Sequence, residues 1–238
     1  MLARILSAEF LKIRGKMLWF LAVLGPLGVA GLQGLNYGLR YDYLMNLYQD
    51  DPWGGLIRDV SALTLPTLFI GLAILASMAA GIEHQTNAWK QTLALPVPKT
   101  AVFAAKALLN VLLLFVSSTL LAVMTIALGA TLGFDLGDIP YGDLLQTLYY
   151  PFFAALPFMV LQVWLSVTLA NQAVPLTVGI IGMIVAMFGS RFDDWVPYKW
   201  PHLLNGAGEP LYSVLAGAAL GVVLLLAGMA QFARKDVS

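Results

Sequence analysis

Six stretches of predominantly apolar residues occupy most of this chain, at Met17 to Tyr37, Val60 to Ile82, Thr100 to Leu132, Leu144 to Ala170, Ala173 to Gly189 and Leu211 to Phe232. A bilayer core about 30 Å thick takes roughly 20 apolar residues in a helix. Only a helix satisfies all its own backbone polar groups in lipid, apart from a closed barrel. The expected fold is therefore all-α: a polytopic membrane protein with six transmembrane helices in one domain spanning residues 1–238. The remaining composition cannot build a water-soluble surface, since 60% of residues are hydrophobic and 11% charged, where soluble domains carry roughly a quarter charged residues. The third stretch is long enough to tilt or project. Asn171 and Gln172 followed by Pro175 mark a tight turn or a kink between the fourth and fifth.

The formal charge sums to zero, which gives no global field toward nucleic acid, yet the signs are segregated along the chain. With the N-terminus inside, Arg4, Lys12, Arg14, Lys16, Lys90, Lys99, Lys106, Arg234 and Lys235 fall on the cytoplasmic side; Arg40, Arg58, Arg191 and Lys199 fall outside. Lys and Arg are retained inside during insertion, so this bias predicts both termini in the cytoplasm. The first stretch follows a charged helix and exceeds a signal-peptide core, so it is expected to be retained. With no cysteine in the chain, thiolate chemistry and disulfides are excluded. His84 and His202 stand far apart without neighbours at ligand spacing, so no metal site is expected.

Residues 1–16 read as an amphipathic helix at the inner surface, with Leu2, Ile5, Leu6, Phe10 and Ile13 on one stripe. Glu9 falls inside that stripe, where a carboxylate is costly unless paired. Lys12, one turn on, is one candidate partner; a basic group elsewhere in the assembly is the other. Between the second and third stretches, residues 83–99 favour a short helix from Glu83 to Leu95, stopped by Pro96 and Pro98. Trp89 and Leu93 share one face of it, Glu83 and Lys90 another. It reads equally as a rigid helix offered to a cytoplasmic partner and as an interfacial Trp with a snorkelling Lys.

The stretches themselves hold almost no ionisable residue, which argues against a proton- or ion-coupled carrier. No carboxylate pair, histidine cluster or nucleophile with an adjacent base points to catalysis. Asn110 and Gln162 are expected to make interhelical hydrogen bonds, with substrate binding as the alternative, and the pairs Gly34/Gly38 and Gly217/Gly221 to permit close helix contact. On the outer side, residues 190–210 are crowded with aromatics and prolines; Trp195, Tyr198 and Trp200 suit the water–lipid boundary, in an interfacial loop or a re-entrant hairpin.

The order of these parts resembles the membrane subunit of a type-2 ATP-binding-cassette (ABC) exporter, and more narrowly the permeases of lantibiotic and bacitracin immunity systems. Glu9-Phe10-Leu11-Lys12 ahead of Trp19, the loop from Glu83 to Lys99 with Trp89-Lys90 and Leu95-Pro96-Val97-Pro98-Lys99, and the outer aromatic segment carry the resemblance. It implies a connecting helix at residues 1–16 and a coupling helix whose Glu83, Trp89, Lys90 and Leu93 dock on a separate ATPase, with Glu9 and Lys12 assisting. It further implies an outer re-entrant segment and a second permease, identical or homologous. The first, second and fifth stretches would line an apolar cavity in a bacterial inner membrane. The chain has no Gly-x-x-x-x-Gly-Lys-Ser/Thr sequence, so ATP and magnesium are expected on the partner and no cofactor on this chain. The expected cargo is a membrane-active peptide antibiotic or another hydrophobic compound. A lipid or polysaccharide cargo, and a non-transporting immunity role, are the alternatives.

Overall fold

The computed structural model describes residues 1–86 and 97–234 and is built of helices, with no strand among the described residues. In chain order they are α1 (Leu2–Ile13), α2 (Leu18–Leu39), α3 (Tyr41–Leu47), α4 (Pro52–Gln85), α5 (Lys99–Thr131), α6 (Tyr141–Ala154), α7 (Leu156–Thr168), α8 (Ala173–Met187) and α9 (Pro210–Ala233). Helices α2, α4, α5 and α9 are each long and apolar enough to cross a bilayer; α6 and α7 pass that test together as one span bent by 42°. Helix α8, the fifth expected span, is apolar but has 15 residues, shorter than a straight crossing needs. The chain is a polytopic all-α membrane protein. The start of α5 receives the end of α9, where Phe232 packs on Phe103, and α1, whose Glu9 reaches Lys106 further along α5.

Helix α4 is the axis. Of its most apolar stretch, 56% is buried inside the protein, against 22–28% for α2, α5 and α9. Leu68, Phe69, Leu72 and Leu75 of α4 pack with Leu109 and Leu113 of α5 and with Phe158 and Met159 of α7. The helix starts earlier than its apolar run does. Asp51 accepts a hydrogen bond from the Gly54 amide at 2.9 Å, and Pro52 occupies the first turn. An N-cap aspartate followed by proline is a strong helix start, and it adds two turns of half-polar helix outside the membrane-length core. Trp53 in these turns donates to the Asp135 carbonyl at 2.8 Å, tying α4 to the end of α5.

The bend between α6 and α7 has a local cause. Pro157 lacks the amide that would bond the carbonyl four residues back, and Pro151, six residues earlier, removes another donor. Helix α9 fills the bend with two glycines. A Cβ on Gly217 would lie 2.5 Å from the Cα and carbonyl oxygen of Ala154, and one on Gly221 3.0 Å from the Leu156 Cβ. Lipid tails are as apolar as leucine, so helices associate in a membrane by such close packing rather than by burial from water. The expected Gly217/Gly221 contact is thus present. Gly34 has only Leu128 at 3.5 Å, and Gly38 has nothing within 4 Å. Gln162 does bond between helices, donating to the Pro175 carbonyl on α8 at 2.6 Å. Asn110 instead donates within its own helix, to the Lys106 carbonyl at 2.9 Å.

Because the α9 backbone has no room to retreat from Ala154, Gly217→Ala should cost about 1–3 kcal/mol of stability. Gly38→Ala should be neutral. Thermal unfolding of the two purified variants in detergent checks the contrast.

Candidate functional site

At the end of the bundle that carries the chain termini, four charged side chains form a closed ring. Lys12 Nζ lies 2.5 Å from Glu9 Oε1 and 2.6 Å from Glu83 Oε1; Lys106 Nζ lies 2.7 Å from Glu9 Oε2 and 2.6 Å from Glu83 Oε2. Signs alternate around the ring and cancel. The Glu9, Glu83 and Lys106 side chains are 4%, 1% and 3% exposed, whereas Lys12 keeps 33% of its surface and forms the wet edge. The contact of Lys106 with Glu83 Oε2 lacks hydrogen-bond geometry, so that side of the ring is coulombic.

Each member is delivered by a different local device. Glu9 lies on the buried face of α1 beside Ile13, where it accepts from Lys12 one turn on and from Lys106 of α5. Gly15, with φ at +74°, turns the chain into α2 through a conformation that favours glycine, and Phe10 stacks on Trp19 at 6.2 Å to hold α1 there. Glu83 comes from the last turn of α4 and Lys106 from the third turn of α5. These two helices flank residues 87–96, so the ring binds α1 to both roots of that segment. Trp89, Lys90 and Leu93 lie outside the described residues.

Lys106 was not among the residues singled out from sequence. The signal was present: a lysine two turns inside an apolar helix needs a partner or a route to water, and no acid on its own helix supplies one. Burial drives the Glu9 carboxyl up, but the charge and hydrogen bond of Lys106, together with Lys12, outweigh it and hold Glu9 below its ordinary value. Burial drives Lys12 down, while hydrogen bonds to Glu83 and Glu9 and their charges hold it above its ordinary value.

A second polar web adjoins the ring. His84 Nε2 lies 3.1 Å from the Ser166 carbonyl, Ser77 Oγ lies 3.4 Å from Ser166 Oγ, and Gln172 Nε2 donates to the carbonyls of Ser166 and Leu169 at 3.0 and 2.7 Å. Beside the web a groove of about 710 Å³ opens between the α1–α2 link, α4 and α8, lined by Lys16, Met78, Ile82 and Leu176 among others. A narrower one of about 270 Å³ continues between α2 and α4 along Gly25, Gly28, Thr67 and Gly71.

At the opposite end, residues 189–210 form two short 3-10 turns, Gly189–Arg191 and Pro197–His202. Trp195 is 76% exposed. Tyr198 turns inward, 4.5 Å from Phe158 and 6.2 Å from Phe69 between ring centres. Trp200 donates to the Asp194 carbonyl at 2.8 Å. The Asp194 carboxylate accepts from Lys199 and from the Gly206 amide, both at 2.7 Å, and these bonds, Lys199's first, hold it below the usual aspartate range. The segment is a stitched cap with one residue driven into the core.

Removing one member of the ring leaves a buried charge uncompensated, so Lys106→Met should cost about 3–5 kcal/mol. Adding Glu83→Gln restores neutrality, and the double variant should recover part of that loss; a double-mutant cycle of thermal stabilities reads this. Glu9's contribution is complete above its unfolded value, near 4.5, and is lost as pH falls through its lower folded value. Lys12's is complete below 10.5 and is lost as pH rises through its higher folded value. A pH series of melting temperatures should therefore show the ring's contribution flat between those limits and falling on either side. No curated protein and no solved structure matches the chain. A family model described as ABC-2 family transporter protein matches residues 5–188, from α1 past the end of α8, and so takes in the ring, the polar web and both grooves. The chain belongs to this family, and is thereby a multi-pass transmembrane permease of an ABC transporter that works with an ATPase subunit.

Proposed function

We propose that this permease exports a membrane-active peptide of the lantibiotic or bacitracin type, or another hydrophobic compound, across a bacterial inner membrane. The ring carries this reading: it makes α1 and the roots of residues 87–96 one rigid base from which a short segment can be worked. Helix α1 and the end of α9 both pack on α5 at that end of the bundle, and the Lys and Arg bias assigns it to the cytoplasm. Trp89, Lys90 and Leu93 are the docking residues for the ATPase; Glu83, expected from sequence to dock as well, is enclosed in the ring at 1% exposure and instead holds the root together with Glu9 and Lys12. ATP and magnesium bind the ATPase subunit, and this chain does no ATP chemistry itself.

Closure of two ATPase subunits pushes the segment, and rigid helices pass the push to two permeases, identical or homologous, rocking against each other. The 710 Å³ groove lies between the start of α2, α4 and α8, the first, second and fifth of the expected spans, and its walls are mostly apolar. It offers an amphipathic cargo in the inner leaflet an apolar wall below and Lys16, Gln85 and Gln172 at a polar mouth.

Co-purification in detergent tests the partnership. The ATPase should accompany the chain, and Trp89→Ala with Lys90→Ala should reduce its recovery and the ATP hydrolysis at least tenfold. Indifference to these substitutions removes the docking assignment. Deletion in the native host should sensitise it to lantibiotics or bacitracin; unchanged survival with an intact complex moves the cargo to lipids or polysaccharides.

A further inference from the structure

The last turn of α4 serves two masters with consecutive residues. Glu83 belongs to the ring with α1 and α5, and His84 reaches the other way, to the Ser166 carbonyl in the last turn of α7. Carbonyls in a helix's final turn lack intrahelical partners. This one is fully enclosed, Ser166 being 0% exposed, and it accepts from Gln172 as well as from His84. Ser77 lies two turns before His84 on the same face of α4 and touches the Ser166 hydroxyl. Ser166, at the end of α7, is thus held from α4 at two levels, the lower one next to Glu83, and the turn leading into α8 is tied to the same residue through Gln172. Helix α8 starts immediately beyond, at Ala173, and faces α4 across the mouth of the 710 Å³ groove, where Gly81, Ile82 and Gln85 oppose Ala173 and Leu176.

We propose that His84 is the positioning residue that carries displacement of the 87–96 root to α8, and so sets the width of the groove at its inner mouth. The inference rests on the permease reading above and adds to it the path from the driven segment to the cargo groove. His84 bears the donor: with the proton on Nε2 it donates to the Ser166 carbonyl, and a shift of α4 pulls the α7–α8 turn with it. Without the bond, the turn keeps its internal Gln172 contacts but loses its lower tie to α4. Higher up, α8 still packs directly on α4, Gly179 against Ala73, so it is the inner end of α8, at the groove mouth, that no longer follows Glu83.

The chain has no cysteine, so spin labels on Gln85→Cys and Ala173→Cys report this spacing without background. Pulsed EPR of the detergent-purified chain should give a narrow distance distribution with His84 in place. His84→Ala should broaden it or shift its centre, and His84→Gln, which restores an amide donor, should return it toward the original. With the ATPase bound, His84→Ala should leave recovery and ATP hydrolysis unchanged while cargo moved per ATP falls about fivefold, the population shift that loss of one hydrogen bond produces. If His84→Ala does not purify folded, His84→Leu, nearer in volume, replaces it. An unchanged distance distribution, or alanine and glutamine variants that behave alike, overturns the inference. Should the unsubstituted chain recover no ATPase, the docking assignment falls, and the label distances alone decide for or against His84.

Discussion

Four charges enclosed at the base of a largely apolar bundle are the constraint around which the rest is arranged. Dehydrating even one ion costs several kcal/mol, and their mutual attraction repays this only with good geometry. Here two lysines each bridge the same two glutamates at 2.5–2.7 Å, so no charge in the ring faces the interior alone. Such an arrangement is a poor source of net stability beside a well-packed apolar substitute, and its use lies in specificity. An apolar face tolerates sliding by a fraction of a turn; an alternating ring does not, because any slip puts like charges together. It therefore fixes the rotation and height of α1 against α4 and α5.

The packing above the ring follows a different rule. In the lipid-facing helices, small residues decide how closely backbones approach, as Gly217 does against Ala154 and Gly221 against Leu156. Helix α4 is held on every side: by Trp53 at its outer end, by the α5 and α7 side chains along its length, and by Glu83 and His84 at its inner end. A helix so fixed moves as a rod, which is what transmission across a membrane requires. The outer cap, with Tyr198 packed against the touching pair Phe69 and Phe158, meets that rod midway along α4.

Much of this was legible in the residues. The apolar runs were long enough to locate the membrane helices, and Glu9 inside an apolar stripe declared its need for a cation. What the pattern did not show arose from places where hydropathy is silent. Asp51 and Pro52 start α4 ahead of its apolar run, a signal of capping rather than of hydrophobicity. The 42° bend at Ala155 needs two prolines read together with the glycine face of a helix some sixty residues later. Lys106 gains its role only when α1, α4 and α5 converge, since its partners are 97 and 23 positions away. Asn110 had the chemistry for an interhelical bond, but its amide is spent on the Lys106 carbonyl one turn earlier.

The ring also bears on the order in which the protein matures. Glu9 and Lys12 are near neighbours on α1 and can pair as soon as that helix forms. Glu83 and Lys106 leave the ribosome only later, the latter after a second membrane helix and the segment beyond it have been made. Until then the first helix has half its electrostatic partners and an incomplete seat, and rests at the headgroups by its apolar stripe alone. Closure of the ring marks the moment at which the nascent chain exchanges a peripheral helix for an integral foundation.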